Sequence, residues 1–206
     1  MSNPLDFAYE FVPGSSGRTL LMLHGTGGNE QDLIPLGQEL DPGSALLSPR
    51  GRVLENGMPR FFRRLAEGVF DIEDLKLRTH ELAEFIATAA QQHQLNPQKI
   101  VAVGYSNGAN IAASLLLLRP EVLHAAILLR PMVPLVPDSL PDLSRVAVNI
   151  AAGNHDPIVT VAATERLVAL LRKAGANVTV NFANAGHGLT NEEIDAAKGW
   201  LGELAP

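Results

Sequence analysis

The sequence contains no cysteine, and this absence excludes disulfide bonds, thiolate metal sites and a cysteine nucleophile. Aromatic residues are also scarce, with one tryptophan, two tyrosines and seven phenylalanines among 206 residues. Hydrophobic residues nevertheless make up 46% of the chain and charged residues 18%, which is the balance of a globular protein and not of a disordered one. The length favours one domain with a sizeable core.

An excess of basic residues is absent as well, since the formal net charge is −6. This charge argues against a nucleic-acid partner, which would require a basic patch to neutralise phosphates. The longest apolar stretches, such as Ile111–Leu118, are far shorter than the roughly 20 residues of a membrane span. Met1–Pro13 lacks the basic and apolar regions of a signal peptide. We therefore expect a cytoplasmic protein with no membrane span and no nucleic-acid partner.

Short apolar runs alternate with longer amphipathic runs, which indicates βα units that build a mostly parallel sheet with helices on both faces. No repeat or linker divides the chain, so residues 1–206 are predicted to form a single α/β domain. The predicted strands are Phe7–Val12, Thr19–Leu23, Ala45–Ser48, Ile100–Gly104, Ala125–Leu129, Ala147–Ala151 and Val178–Phe182, the first at an antiparallel edge. The predicted helices are Glu30–Leu40, Ile72–His93, Asn107–Leu118, Val161–Ala174 and Asn191–Leu204.

Polar residues and glycine mark several ends of these helices. The end signals are a Thr190–Glu193 capping box, the N-cap residues Asp71 and Asn29, and the C-terminal stop Gly175. Most connections between elements are short. Two longer segments, Gly51–Phe70 and Arg130–Arg145, are expected to be surface loops, and long loops in a compact domain tend to be functional.

The segment Gly104-Tyr105-Ser106-Asn107-Gly108 has the pattern G-x-S-x-G between a predicted buried strand and a predicted apolar helix. A serine on such a sharp turn has strained backbone angles, and glycines two residues before and after it give the room that the turn requires. Its hydroxyl then projects above the carboxyl edge of the sheet, where the helix N-terminus favours negative charge. A glycine-rich turn with an incidental serine is the alternative, but the flanking strand and helix favour Ser106 as a nucleophile.

A serine nucleophile requires a base, and the base requires an acid partner. Among six histidines, His187 lies after the last predicted strand between two glycines, which let a loop hold its imidazole over the sheet. A surface-loop histidine is the alternative. Asp156 follows an intermediate strand and could equally be a turn residue before proline. The chain order Ser106, Asp156, His187 is that of α/β-hydrolases, however, and it predicts a catalytic triad.

The segment His24-Gly25-Thr26-Gly27-Gly28-Asn29 follows an early predicted strand. Its glycines allow backbone amides to turn toward a ligand, and α/β-hydrolases take one oxyanion donor from such a loop and another from the residue after the nucleophile. We therefore predict an oxyanion hole formed by the backbone amides of Thr26 and Asn107, with His24 as a residue that shapes the site. A phosphate-binding loop is the alternative, but neither G-x-G-x-x-G nor G-K-[ST] is present.

These segments, together with Ser48-Pro-Arg-Gly51, resemble the phospholipase/carboxylesterase family of α/β-hydrolases, which includes acyl-protein thioesterases. The resemblance covers nearly the whole chain. Asn107 and Asn110, with Pro59-Arg-Phe-Phe-Arg-Arg64, resemble the bacterial hydroquinone- and stress-inducible hydrolases within that family. The better known members have Gln where Asn107 stands, so their lipid and lipoprotein substrates carry over poorly.

The resemblance implies an α/β-hydrolase fold without a cap domain, no cofactor, a homodimer as an option and an open site for short acyl esters. The two long segments then form the walls of the site. Phe61 and Phe62 in the first segment, and Met132 and Leu135 in the second, are pocket residues on this interpretation, with core packing as the alternative for all four. Arg60 could meet an anionic substrate group, but a solvated charge is the favoured interpretation.

The predicted function is the hydrolysis of small carboxylic esters by a serine carboxylesterase. A hydrolase of lactones or ring-cleavage products and a thioesterase are the alternatives among enzymes. A non-catalytic small-molecule binder is more remote, because a nucleophile, a base, an acid and a glycine loop are all present. No metal site is expected, because the His, Asp and Glu residues show no ligand spacing.

Overall fold

The computed structural model describes residues 7–204, in which strands and helices alternate along most of the chain. The strands of this range are β1 (Tyr9–Val12), β2 (Thr19–Leu23), β3 (Ala45–Pro49), β4 (Val53–Glu55), β5 (Met58–Arg60), β6 (Arg64–Ala66), β7 (Val69–Phe70), β8 (Ile100–Tyr105), β9 (Ala125–Leu129), β10 (Ala147–Gly153) and β11 (Asn177–Ala183). The α-helices are α1 (Ile34–Leu40), α2 (Ile72–Gln92), α3 (Asn107–Leu118), α4 (Val161–Lys173) and α5 (Asn191–Glu203).

Seven of these strands form one sheet in the order β1-β3-β2-β8-β9-β10-β11 within residues 7–204. The neighbours are parallel except for β1, which pairs antiparallel with β3 at one edge, as predicted. In β2, Leu21 and Leu23 face one core cluster, whereas Leu20 and Met22 face the other. Helices α2, α3 and α4 pack on the first cluster, and α1 and α5 on the second. The predicted α/β-hydrolase architecture is confirmed.

Capping bonds mark the starts of α2 and α5, and a glycine marks the end of α4. The Asp71 carboxylate accepts from the Asp74 amide at 3.1 Å at the start of α2. Thr190 and Glu193 form both bonds of the capping box at the start of α5. Gly175 follows α4 with a φ of +96°, a backbone conformation that favours glycine. None of the helices in the described range is long and apolar enough to cross a membrane.

The first helix begins later than the sequence predicts. It starts at Ile34 and not at Glu30, and Asn29 does not cap it. The Asn29 side chain instead accepts from the Gln31 amide at 2.7 Å in a turn. Pro35 lies in the first turn of α1, where a missing amide is tolerated, so the proline marks the start of the helix.

The two long segments are less exposed than the sequence predicts. Residues 51–70 include two small hairpins, β4–β5 and β6–β7, and Arg60 at the end of the first and Phe61 and Phe62 between the two are buried. Strands of two or three residues are too short to show a period-2 pattern, which is why the sequence did not indicate them. The Arg130–Arg145 segment has no regular element, but the side chain of Arg130 is buried with no exposed surface.

A methyl group at Gly108, just after the predicted nucleophile, would lie 1.9 Å from the Leu23 carbonyl oxygen. Because two backbone segments would have to separate, Gly108→Ala is expected to lower the free energy of unfolding by about 3 kcal/mol or more. Urea unfolding measures the effect. The matched control is Gly199→Ala in α5, where a Cβ meets no neighbouring atom, and alanine should stabilise the helix by about 0.5–1 kcal/mol. Equal effects at both positions would contradict the close approach.

Candidate active site

Ser106 lies on the turn between β8 and α3, at the carboxyl edge of the sheet. Its φ is +53° and its ψ −111°, a conformation that costs about 1–3 kcal/mol and persists only where the surroundings fix it. The Ser106 amide donates to the Leu129 carbonyl at 2.8 Å, and its carbonyl accepts from the Asn110 amide at 3.0 Å. This strained turn presents a half-buried hydroxyl at the edge of the sheet, as a nucleophile requires.

The structure brings the three predicted triad residues into hydrogen-bond contact from three separate loops. His187 Nε2 lies 3.0 Å from Ser106 Oγ, and His187 Nδ1 lies 2.7 Å from Asp156 Oδ2. Because an ionised carboxylate only accepts hydrogen bonds, Nδ1 carries the proton and Nε2 is left as the acceptor for the serine hydroxyl. This arrangement can take a proton from Ser106 as its oxygen attacks an electrophile.

Asp156 is buried, and backbone amides hold its charge. Its second oxygen, Oδ1, accepts from the amides of Ile158 and Val159 at 2.8 and 3.0 Å. Burial by itself raises the pKa of Asp156, but the Val159 amide and His187 outweigh it, so that the pKa lies below its ordinary value. The carboxylate is therefore ionised at neutral pH and can orient the imidazole.

The backbone amides predicted to bind an oxyanion lie on two loops at the same edge of the sheet. Leu23 of β2 is in register with Gly104 of β8, so the loops that follow these strands leave the sheet side by side. Asn107 is the first residue of α3, where amides have no partner within the helix. Neither the Asn107 nor the Thr26 amide donates to another residue of the described range. Their role as oxyanion donors stays a prediction.

The buried imidazole of His24 fixes the loop that contains Thr26. Its Nδ1 lies 2.7 Å from the Gly25 carbonyl oxygen, and its Nε2 accepts from the Gly51 amide at 2.9 Å. These partners require a neutral ring with the proton on Nδ1. In a trans peptide the carbonyl and the next amide point in opposite directions. His24 therefore orients the Thr26 amide by holding the Gly25 carbonyl on the other side, which supports its predicted role in shaping the site.

His24 also makes stability depend on pH. Burial lowers the pKa of His24 below its ordinary value, so the unfolded chain binds a proton at a higher pH than the folded chain does. The stabilisation from this neutral imidazole is complete above the unfolded pKa of about 6.5 and is lost as the pH falls below it. We expect His24→Phe to reduce the loss of unfolding free energy between about pH 7 and pH 5 in urea titrations.

The matched control for His24→Phe is His80→Asn, because His80 is exposed on α2. This control should leave the pH dependence of the unfolding free energy as it is in the unmodified chain. The same slope in His24→Phe and His80→Asn would contradict the account, because it would show that the His24 ring does not stay neutral in the fold.

The hairpin β4–β5 and Phe61, which follows it, contact both predicted oxyanion donors, the loop of Thr26 and the residue Asn107. The Gly27 amide donates to the Pro59 carbonyl at 2.9 Å, and Arg60 Nη1 donates to Thr26 Oγ1 at 2.8 Å. The Phe61 amide donates to Asn107 Oδ1 at 2.8 Å. The Arg60 side chain is only 3% exposed, so the interpretation of Arg60 as a solvated charge is wrong. Its guanidinium instead holds the loop of Thr26.

Three of the four predicted pocket residues lie in the core. Phe62 is fully buried, and Phe61 and Leu135 are 3% and 6% exposed. Core packing, the alternative for these side chains, therefore describes all three, because they expose little or no surface to a substrate. Met132 differs, since it lines an open groove of about 580 Å³ together with Val133, Val136, Ala163 and Leu170.

The burial of two charged residues near the triad, Arg130 and Glu193, is not indicated by any sequence motif. Arg130 lies 4.0 Å from Asp156, and its guanidinium pairs with Glu193 of α5. An arginine at the start of a proline-rich segment indicated only a surface loop, and Glu193 was explained by its capping box. No group of three or more His, Cys, Asp or Glu residues in the part of the chain that the structure describes is placed to hold a metal ion.

Comparison with known proteins identifies the family of this chain. Residues 62–199 match the family profile described as the Dienelactone hydrolase family. The chain belongs to this family. It is 53% identical to MhqD of Bacillus subtilis (strain 168), whose name carries a provisional assignment as a hydrolase, over 94% of this chain and 96% of that protein.

Solved structures agree with the family match. The crystal structure of the Bacillus cereus carboxylesterase is 51% identical, with a TM-score of 0.94 over 97% of this chain and 95% of that one. A carboxylesterase from Mesorhizobium loti is 33% identical, with a TM-score of 0.89 over 96% of this chain and 95% of that one. These similarities confirm the predicted resemblance to esterases of the α/β-hydrolase fold. The chain is thus a hydrolase of the esterase type.

Proposed function

We propose that this chain is a serine carboxylesterase that hydrolyses small carboxylic esters with short acyl groups. The observation that carries the proposal is the continuous line of contacts from Ser106 Oγ through the His187 ring to Asp156, at 3.0 and 2.7 Å. The strained turn at Ser106 and the ionised, buried Asp156 support it further. The carboxylesterases among its structural relatives support the same class of reaction.

The first half of the reaction transfers the acyl group to Ser106. Its Oγ attacks the ester carbonyl carbon while His187 Nε2 takes the hydroxyl proton. The amides of Thr26 and Asn107 donate to the carbonyl oxygen, on which negative charge develops, and each such donor contributes about 2.7–4 kcal/mol. His187 then gives its proton to the alcohol oxygen as the carbon–oxygen bond breaks. The alcohol leaves, and the acyl group stays on Ser106.

The second half of the reaction releases the acid. A water molecule attacks the acyl-enzyme carbonyl while His187 takes one of its protons. The bond to Ser106 Oγ then breaks, and His187 returns the proton to that oxygen. Asp156 stays ionised throughout and stabilises the imidazolium that forms in both halves. Because these residues supply both proton transfers, the cycle uses no cofactor.

The groove that Met132 lines is an argument for a substrate with a small acyl group. The Met132 amide donates to Asn110 Oδ1 at 2.9 Å, and Asn110 lies one helical turn after Ser106 on α3. Met132 therefore connects the helix that follows the nucleophile to the groove. The lining of the groove also includes five aliphatic side chains, Val133, Val136, Ala163, Ala169 and Leu170, which favour the hydrocarbon part of a substrate, besides the charged Arg166 and Lys173. We propose that Met132 contacts the acyl group.

The family match favours lactones as a second substrate class. Because the chain has no cysteine, ring opening would also proceed through Ser106, with the alcohol still attached to the acyl group after the bond breaks. A thioester would follow the same path with a thiol as the leaving group. The three classes share the triad and differ in the leaving group.

A substrate panel tests the proposed function. The purified protein is given p-nitrophenyl acetate, p-nitrophenyl octanoate, dihydrocoumarin and acetyl-coenzyme A, with Ser106→Ala as the control for each. We expect the highest kcat/KM for p-nitrophenyl acetate. A higher kcat/KM for dihydrocoumarin would make the chain a lactonase, and one for acetyl-coenzyme A would make it a thioesterase. Turnover of none of these substrates would overturn the assignment.

The homodimer and the cytoplasmic location stay predictions from the sequence. Light scattering coupled to size-exclusion chromatography measures the first, because it separates a mass of about 44 kDa from the 22.0 kDa of one chain. Fractionation of cells that express the protein at natural levels measures the second.

A further inference from the structure

A buried ion pair lies behind the loop that carries His187. Arg130, which follows β9, has no exposed surface, and its guanidinium donates to both carboxylate oxygens of Glu193 at 2.5 and 2.8 Å. Two parallel charge-assisted bonds of this kind fix geometry as well as adding energy. The same carboxylate accepts from the Thr190 amide at 3.0 Å. The pair therefore joins the end of β9 to the first turn of α5.

The guanidinium also holds the loop on both sides of His187. Arg130 Nε donates to the Gly186 carbonyl at 3.0 Å, and Nη2 donates to the Gly188 carbonyl at 2.6 Å. The Tyr105 hydroxyl donates to the carbonyl of His187 itself at 3.0 Å. Side chains from the ends of β8 and β9 thus fix three consecutive carbonyls of this loop.

The glycines beside His187 do not order the loop by themselves. Neither has a positive φ, and a Cβ at Gly186 or Gly188 would meet no atom closer than 3.8 Å. Because glycine loses more conformational freedom on folding than other residues do, contacts must hold such a loop in place. Arg130 itself has a φ of +60°, a strained conformation that the surrounding contacts must determine.

We propose that Arg130 and Glu193 are a positioning pair that fixes His187 for proton transfer. The proposal rests on the proposed function, because it takes His187 as the base of an esterase. Both side chains are buried and act through the backbone of the loop. A displacement of about 1 Å at a reacting group can cost about 100-fold in rate, so the loss of this support should lower kcat more than it changes KM.

The pair also balances charge behind the triad. Arg130 Nε lies 4.0 Å from Asp156 Oδ2, and Glu193 compensates the guanidinium. Burial raises the pKa of Glu193, but the bonds from Arg130 outweigh it, so the net pKa lies below its ordinary value. Removal of either partner leaves an uncompensated buried charge behind the loop that carries His187.

Other ionisable groups also face the loop. They are Tyr105 at the end of β8, Asp156 and the exposed His155 after β10, besides Arg130 and Glu193. Burial raises the pKa of Tyr105, so its hydroxyl is neutral near pH 7. Substitution of Arg130 or Glu193 leaves these other groups in place. The sign of the uncompensated charge therefore determines whether the acid limb of the pH profile shifts up or down.

The test measures kcat, KM and the acid limb of kcat/KM for p-nitrophenyl acetate in Arg130→Met and Glu193→Gln. We expect kcat to fall about 10- to 100-fold in Arg130→Met and about 3- to 10-fold in Glu193→Gln, with KM within about twofold of the unmodified enzyme. The uncompensated arginine in Glu193→Gln opposes the imidazolium, so the acid limb shifts to lower pH. The uncompensated glutamate in Arg130→Met shifts it to higher pH, each by about 0.5–1 unit.

Arg18→Met is the matched control, because it removes another arginine–carboxylate pair, Arg18 with Asp41 at 3.0 Å, before the amino end of β2 and away from the site. It should change neither kcat nor the acid limb. If Arg130→Met does not fold, Glu193→Gln alone tests the positioning pair, because it keeps the shape of the side chain and leaves Arg130 in place. Unchanged kcat and unshifted limbs, or shifts of the same sign in both variants, overturn the positioning pair.

The controls separate this proposal from the proposed function. If the unmodified enzyme hydrolyses no ester, or if Ser106→Ala hydrolyses esters equally well, the proposed function fails. If ester hydrolysis depends on Ser106 while Arg130 and Glu193 variants behave like the unmodified enzyme, the esterase stands and the positioning pair fails.

Discussion

Replacement of Ser106 by alanine is expected to lower kcat for p-nitrophenyl acetate by about 10⁶-fold. Removal of the hydroxyl removes the oxygen that His187 is placed to activate, and the proposed oxyanion donors would leave only a small residual rate. The fold should persist, because the bonds that hold the turn come from the backbone of Ser106 and not from its side chain. Steady-state kinetics and the thermal midpoint measure the two effects.

Ser139→Ala is the control for this substitution, because Ser139 is an exposed serine in the Arg130–Arg145 segment. Its kcat should equal that of the unmodified enzyme. A Ser106→Ala enzyme that keeps more than about a hundredth of the activity would contradict the covalent mechanism, since no acyl-enzyme can form without the hydroxyl.

Asp156→Asn should lower kcat by about 10⁴-fold while the fold is retained. The buried carboxylate accepts from His187 Nδ1 and so keeps the proton off Nε2, the atom that faces Ser106. An amide in its place can donate to Nδ1, which favours the opposite tautomer and removes the acceptor for the serine proton. The kcat of the variant, measured near pH 8 with p-nitrophenyl acetate, gives the size of the effect.

Asp142→Asn is the matched control, because this carboxylate caps a turn by accepting from the Ser144 amide at 2.9 Å, in the segment that leads into β10. The substitution should leave kcat unchanged. A loss below tenfold in Asp156→Asn would show that the imidazole keeps its tautomer without the carboxylate, which contradicts the role given to Asp156.

Local patterns predict the sheet and the loops at its edge. Strands such as β8 and β9 are continuous apolar runs, and the residues after parallel strands meet at one edge, so the positions of Ser106, Asp156 and His187 in the chain suffice to bring them together. The capping box at Thr190 is visible for the same reason, since its bonds join residues three apart. Features that depend on neighbours in sequence were therefore predictable.

Long-range partners explain what the sequence did not predict. Arg60 is buried with a local partner, Glu55 at 3.2 Å, and a distant one, Thr26, which is 34 residues away. Arg130 is buried because it binds Glu193, which is 63 residues away. An arginine in a segment without periodicity looks like a solvated charge until its partner is known. For the same reason Phe61 and Phe62 were placed in the substrate pocket, whereas the hairpin fold of residues 51–70 turns them into the core.

Labelling with a fluorophosphonate tests the central claim, that Ser106 is an activated nucleophile. The probe reacts when a serine oxygen attacks phosphorus and fluoride leaves, so the adduct marks the nucleophile and requires no knowledge of the natural substrate. Peptide mass spectrometry should find one adduct, on Ser106, in the unmodified protein and none in Ser106→Ala. An adduct on another residue, or no adduct in a folded protein, would contradict the account.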